Sequence, residues 1–271
     1  MLLPVLAHAG IDNSPLGARS AGMGGSSVAL TGDLWCAHNN QAGLAFVRDV
    51  QGGLFYENRF AVKALSMKAG AFALPIKRGT FGLEVSSLGY TQYAENKYGL
   101  SYAMPFGEKF AMGVQIDYLS MRFGENYGKT GTASGEIGVI AKPLKNLTIG
   151  AHLFNPMRSK LAEYNDERVP TIMRFGVNYR FSDKVFITGE AEKDMDFKPV
   201  IRGGLEYRPI KEFYLRAGGG SNPGTTSFGF GIAMKNLRLD VASSFHAQLG
   251  FTPHVGLQYG IGDKKSDVPS K

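Results

Sequence analysis

The sequence predicts an all-β fold, a transmembrane antiparallel β-barrel of about 14 strands, and three observations predict it. Segments of roughly 9 to 14 residues alternate large apolar side chains with small or charged ones, the period-2 pattern of a strand with two unlike faces. Short clusters of Gly, Asn, Lys and Asp separate these segments at hairpin spacing. The segments also match the roughly 9–11 residues that a tilted strand needs to cross a bilayer.

The series opens with "VQGGLFYEN" at Val50. It continues through "KALSMKAGAFALPI", "TFGLEVSSLGYTQYA", "NKYGLSYAMPF", "FAMGVQIDYLSMRF", "GEIGVIAKPL" and "LTIGAHLFNP". After a polar loop come "PTIMRFGVNYRF", "VFITGEAEKDM", "KPVIRGGLEYRP", "EFYLRAGGG", "TSFGFGIAMK", "LRLDVASSFHA" and "FTPHVGLQYGIG". In the fifth segment Phe110, Met112, Val114, Ile116 and Tyr118 share one face, and Ala111, Gly113, Gln115 and Asp117 the other. In the eighth, Thr171, Met173, Phe175, Val177, Tyr179 and Phe181 oppose Ile172, Arg174, Gly176, Asn178 and Arg180. A soluble sandwich would show the same alternation. Strand length favours the barrel, as does a second face that mixes Gly with isolated charges. Aromatic residues near segment ends also favour it (Tyr90, Tyr93, Phe106, Phe123, Phe181, Tyr207 and Tyr259), where an interfacial girdle would sit.

Composition agrees. Among 271 residues there are 36 Gly and 11% aromatics, which suits many strands and turns. No run of about 18 apolar residues is present to span a membrane as a helix. The net charge is +7, but Lys and Arg are scattered, often one per hairpin. That pattern suits a solvated surface or anionic lipid headgroups rather than a duplex-binding stripe, so nucleic acid is not an expected partner. The single cysteine, Cys36, excludes a disulfide framework and a cysteine-based zinc site, and reads as a small buried side chain.

Enzyme chemistry finds little support. "GMGGSS" lacks the Lys-Ser/Thr ending of a phosphate loop, and "GSNPGTTSFGFG" has no strand–loop–helix unit around it; both read as close-packing devices. The five histidines show no metal-ligand spacing, and no metal or cofactor is expected. Ser244 and His246 share a strand face but lie about 7 Å apart along it, too far for a nucleophile–base bond. No catalytic residue is expected. By parity the lumen-facing charges are Glu84, Asp117, Glu136, Arg174, Arg180, Glu190, Glu192, Arg202, Glu206, Arg216, Arg238 and Asp240, whose mixed signs imply pairing.

Residues 1–9, "MLLPVLAHA", read as the remnant of a signal peptide, with Ala7-His8-Ala9 as its cleavage site. "HVGLQYGI" resembles the C-terminal signal of outer-membrane barrels, and residues 263–271 read as a polar tail. The barrel is expected over 48–262, in the bacterial outer membrane, with outer-membrane lipid and lipopolysaccharide as partners.

Gly17–Val47 reads "GARSAGMGGSSVALTGDLWCAHNNQAGLAFV". It resembles the N-terminal region of the PorV/PorQ family of Bacteroidetes outer-membrane proteins, which are related to FadL-type barrels. The matching residues are Ala18, Arg19, Gly22, Met23, Gly24, Gly25, Val28, Ala29, Asp33, Asn40, Ala42, Gly43, Leu44 and Ala45; Gln41 stands where the family usually has Pro. The resemblance implies a 14-stranded barrel with residues 10–47 inside the lumen. Arg19, Gly22, Gly24, Gly25, Asp33, Asn39, Asn40 and Gly43 would form that plug, with Asn39, Asn40 and Gly43 at its exit turn. It also implies a non-enzymatic scaffold of type IX protein secretion, binding secretion or surface-attachment proteins. Modest loops and a 29.3 kDa chain favour this over the other open reading, a FadL-like channel for hydrophobic molecules.

Overall fold

The computed structural model describes residues 11–124, 128–161 and 168–261. The expected signal remnant and polar tail lie outside the described residues. Fourteen strands follow one another: β1 (Val50–Asn58), β2 (Ser66–Ile76), β3 (Gly79–Tyr90), β4 (Tyr93–Phe106), β5 (Phe110–Phe123), β6 (Lys129–Leu144) and β7 (Leu147–Phe154). The second half is β8 (Ile172–Ser182), β9 (Val185–Asp194), β10 (Val200–Ile210), β11 (Phe213–Gly220), β12 (Thr225–Met234), β13 (Leu237–His246) and β14 (Gly250–Ile261). They correspond one to one, in order, with the segments read from the sequence.

Each strand pairs antiparallel with the next. β1 closes on β14, from Val50 opposite Ile261 to Glu57 opposite His254, so the sheet is a closed barrel without a free edge. Closure is what membrane depth demands: with no water there, every strand N–H and C=O must find a partner within the sheet. At one end of the barrel the connections are two or three residues long, at 77–78, 107–109, 145–146, 183–184, 211–212 and 235–236; at the other end they reach 17 residues, at 155–171. In barrels of this class the short turns face the periplasm and the long loops the exterior.

The outer face is apolar. Ile116 is 72% exposed, with Val114 and Tyr118 beside it, whereas Gln115 is 2% exposed and points inward. Two residues expected in the aromatic girdle depart from it. The β3–β4 turn falls at Thr91–Gln92, so Tyr93 opens β4 and takes the inward parity of Glu95 and Lys97. Phe123 shares the inward face of Asp117, Leu119 and Met121 on β5. Both rings pack within a buried cluster of Ile11, Leu119, Met121, Phe154, Leu161, Val169 and Ile172 near the loop end.

Residues 11–47 lie inside the barrel as short helices α1 (Ala18–Gly22) and α2 (Cys36–Asn39) and a 3-10 helix (Gln41–Phe46), joined by turns. They are a plug that fills the lumen. Ile116→Arg, at the middle of β5 on the lipid face, is expected to destabilise the folded barrel by about 2–4 kcal/mol. A denaturant titration in lipid vesicles checks this; a loss no larger than that of Ile116→Leu would contradict the assignment of faces.

Candidate functional site: the plug and its seat

The plug is seated by close backbone approach on one side. Gly24 has φ +70, and a Cβ there would stand 2.6 Å from both the N and the O of Gly219 on β11. The glycine runs "GMGG" of the plug and "GGG" of β11 thus face each other, each side bare enough for main chain to lie on main chain. Gly24 N–H donates to Ser227 Oγ at 2.8 Å. Gly25, at φ +82, passes Arg202, and Gly22 lies against Gly229 and Arg216. On the wall, Gly113 and Gly138 leave the same room for Gln41 and Asn40, and Gly150 for Val28. Gly43 is tight within the plug itself, where a Cβ would meet Leu30 O at 2.7 Å.

Many of the plug's polar groups bond to the wall or to each other, while Ser20 Oγ and Trp35 Nε1 are buried without a partner among the described residues. Glu190 on β9 accepts both Ser27 N–H (2.7 Å) and Val28 N–H (2.8 Å) on one carboxylate oxygen. The Asn40 amide donates to Val28 O at 2.7 Å and lies within reach of the wall carbonyls Val139 O (3.2 Å) and Ala151 O (3.3 Å). Gln41 donates to Glu136 at 2.6 Å, a contact that proline could not make. Asn39 and Leu16 exchange two hydrogen bonds, Leu16 N–H to Asn39 Oδ1 (2.9 Å) and Asn39 Nδ2 to Leu16 O (2.8 Å). Asn39, Asn40 and Gly43 therefore brace the plug's interior, and the chain leaves for the wall farther on, at Val47–Asp49.

Three charged clusters face the plug, one of them Arg59 between Asp12 of the plug and Glu57 of β1. Against β8–β13, Arg19 pairs with Glu206 (2.8 Å) and with Asp33 (3.0 Å). Arg216 joins Glu206 to Asp240, both at 2.7 Å, and Arg238 caps Asp240 at 2.8 Å. Arg202 and Arg174 hold Glu192 at 2.9 and 2.7 Å, and Arg174 also donates to the Asn13 carbonyl. Against β3–β7, the Lys97 ammonium contacts Glu136 and lies 3.8 Å from Glu84 and 3.9 Å from Asp117. His38 of the plug faces Glu84 at 3.4 Å, and His152 bonds Glu136 at 2.7 Å. Three carboxylates thus surround one ammonium and two imidazoles.

Glu84, Asp117, Arg174, Arg202, Glu206 and Arg238 all lie in these clusters. Arg180 does not: it shares their parity but sits at the short-turn end of β8, exposed to solvent, because the strand outlasts the lumen there. Lys97 and His38 are absent from the expected lumen charges and plug residues. Lys97 was legible, since it alternates with Gly99 and Ser101 on β4; His38 needed the path of the plug.

The plug's remaining side is dry. Leu16, Leu34, Trp35, Cys36 and Leu44 pack on Phe55 of β1, on Ala69, Ala71 and Ala73 of β2, and on Ala103 of β4. A cavity beside this seam, lined by Leu16, Ser20, Leu30 and Trp35, has about 10 Å³, room for one water at most. On the outer surface of the same sector is a groove of about 470 Å³, floored by Gly52 and Gly70 and walled by Leu54, Phe72, Leu83, Val85, Leu257 and Tyr259.

Ser244, His254 and Glu57 line up on neighbouring strands, with Ser244 Oγ 3.0 Å from His254 Nε2 and His254 Nδ1 3.6 Å from Glu57. Glu57 is already engaged by Arg59, and the strand N–H groups an oxyanion would need belong to the sheet. The trio lines the lumen as polar wall.

No family model matches the chain, and no curated protein matches it. Solved structures share the fold. The TodX monoaromatic hydrocarbon channel, as its deltaS2 mutant, superposes with a TM-score of 0.73 at 11% identity, over 91% of this chain and 97% of that one. The Ralstonia pickettii toluene transporter TbuX gives 0.69 at 12% identity, over 93% and 100%. A Pseudomonas aeruginosa FadL homologue gives 0.65 at 12%, over 93% and 99%. The fold is therefore that of FadL-like outer-membrane barrels. These likenesses overturn the secretion-scaffold expectation drawn from the N-terminal run. The architecture matched across nine tenths of the chain is that of transport channels, and the run itself is accounted for by plug packing.

The lone cysteine reports on the seat. Burial, with Asp33 nearby, pushes the Cys36 thiol up to about 12, so the reactive thiolate is scarce at pH 8 and the side chain is shielded from reagent. Maleimide labelling of the intact barrel should be negligible and become complete on denaturation. Gly24→Val should raise the labelling rate roughly tenfold while heat-modifiable migration is kept, since positive φ alone costs a branched residue about 1–2 kcal/mol. Glu206→Gln strands Arg19 and Arg216 without their shared carboxylate, and a loss of about 3–5 kcal/mol is expected in denaturant titration.

Proposed function

We propose that this chain is an outer-membrane channel for small hydrophobic molecules, with the N-terminal plug as its gate. The observation that carries the reading is the two-sidedness of the seat. Toward β8–β13 the plug is tied by buried ion pairs, whereas over β1 and β2 its Leu34–Cys36 segment meets Phe55 and a strip of alanines through apolar contacts, with Asp12 and Arg59 pairing at the loop end. Separating apolar surfaces to admit an apolar solute exchanges one such contact for another, whereas a polar solute entering there loses its hydration. The ion-paired side keeps the plug attached while the dry side parts.

Two further features support it. The buried cluster under the loop end, with Leu119, Phe154 and Ile172, offers an apolar first station. The outer groove over Gly52 and Gly70 backs onto the dry seam, where the inward residues of β2 are alanines. A solute leaving sideways through that sector would enter the lipid without crossing water. The fold shared with hydrocarbon channels is in keeping with this route. The PorV/PorQ-like N-terminal run then marks a variant of the same plugged architecture.

Cells lacking their own hydrocarbon channel provide the test. Expression of this chain should speed uptake of radiolabelled toluene above the empty-vector rate. Ala71→Phe, which fills the dry seam, should return uptake to that rate while the protein remains heat-modifiable in the membrane fraction. Uptake by the wild type no faster than the vector would end the proposal.

A further inference from the structure

The six short turns contain 13 residues, of which seven are basic and three acidic. Every one of the six carries a lysine: Lys77, Lys109, Lys145, Lys184, Lys211 and Lys235, all exposed. At the opposite end the connections contain 43 residues, six basic and five acidic. The chain's positive charge is thus displaced onto one rim. Outside the turns, exposed Arg48 and Arg180 add to it, and the Asp49 carboxylate offsets part of it.

The depth of these cations is set by the brevity of the turns. Lys77 follows exposed Ile76, Lys145 follows Leu144, Lys211 follows Ile210 and Lys235 follows Met234. One residue of strand advances about 3.3 Å. Each ammonium, on its flexible stem, therefore lies immediately beyond the apolar belt, where lipid headgroups sit. The six turns alternate with strand pairs around the whole circumference. A protein partner would meet one sector of such a ring, whereas a lipid leaflet meets all of it.

We propose that this rim is a binding ring for anionic phospholipid headgroups, which the turn lysines recruit from the leaflet on the short-turn side. Headgroup phosphates with net negative charge complement a surface of unpaired ammonium groups, and the attraction decays within a Debye length. The ring would fix the vertical position of the barrel and surround its periplasmic end with acidic lipid. It is independent of what, if anything, the lumen carries.

The test uses the folded full-length protein in phosphatidylcholine bilayers with spin-labelled phosphatidylglycerol or phosphatidylcholine as the probe lipid. Electron paramagnetic resonance reads the share of each probe held at the protein surface. A preference for phosphatidylglycerol of roughly two- to fivefold is expected at low salt, on the scale of one surface cation per lipid. It should fall toward unity near 1 M salt, where the Debye length is about 3 Å. The variant K77Q, K109Q, K145Q, K184Q, K211Q, K235Q should lose most of the preference and stay heat-modifiable. A matched variant of the far rim, K63Q, K68Q, K129Q, K193Q, K198Q, should keep it. No preference in the wild type would overturn the proposal and leave an acidic protein as the ring's partner. An unchanged preference in the turn variant, or an equal loss in the far-rim variant, would overturn it as well.

Discussion

The structure depends on one constraint: at membrane depth no backbone N–H or C=O can be left to water. The pairing of β1 with β14 meets it by turning fourteen strands into a sheet without an edge. That closure fixes a circumference, and the circumference fixes a problem. An eight-stranded barrel is filled by its own side chains, and one of sixteen or more leaves an aqueous channel. Fourteen strands lie between, with a lumen too wide for wall side chains to fill. Residues 11–47 occupy it, and much of the chain's composition follows from accommodating them.

The high glycine content has two origins. One is turn geometry, as in any hairpin protein. The other is the track that the plug follows around the inside of the wall. Where Met23 and Gly24 cross β10–β12, and where Asn40 and Ala42 cross β5 and β6, the inward positions are glycine because the plug's main chain occupies the volume of a side chain. Glycine elsewhere in a strand weakens it. Here the lost packing is replaced by the plug.

Electrostatics divides wall and plug into sectors. Glu206 is shared by Arg19 of the plug and Arg216 of the wall, and Glu190 receives two plug N–H groups, so the β8–β13 sector holds the plug by bonds that need fixed geometry. Over β1 and β2, Phe55 and the alanines hold it by non-directional apolar contact. Directional bonds resist sliding, and apolar contacts tolerate it. A moving plug would hinge where it is charged and part where it is dry.

Strand number, order and the sense of each face were legible in the sequence because a period of two has only two phases, and long hydrophobic faces choose between them. Val114 outward and Gln115 inward follow from alternation alone. So does the inward set from Glu84 to Arg238, although alternation places a residue on a face without giving its height, which is why Arg180 is at a rim. Tyr93 was misplaced because one residue's shift in a turn reverses the parity of the strand after it. The seat of the plug was a different matter. Residues 11–47 have no period, and their hydrogen bonds to the wall span up to 205 residues of sequence, as between Gly22 and Ser227. The sequence by itself determined a closed apolar-faced wall with charges inside it. Only the tertiary structure decided which wall carboxylate meets which plug donor, and which side of the plug is dry, because those depend on where an irregular segment lies within a circumference that alternation cannot measure.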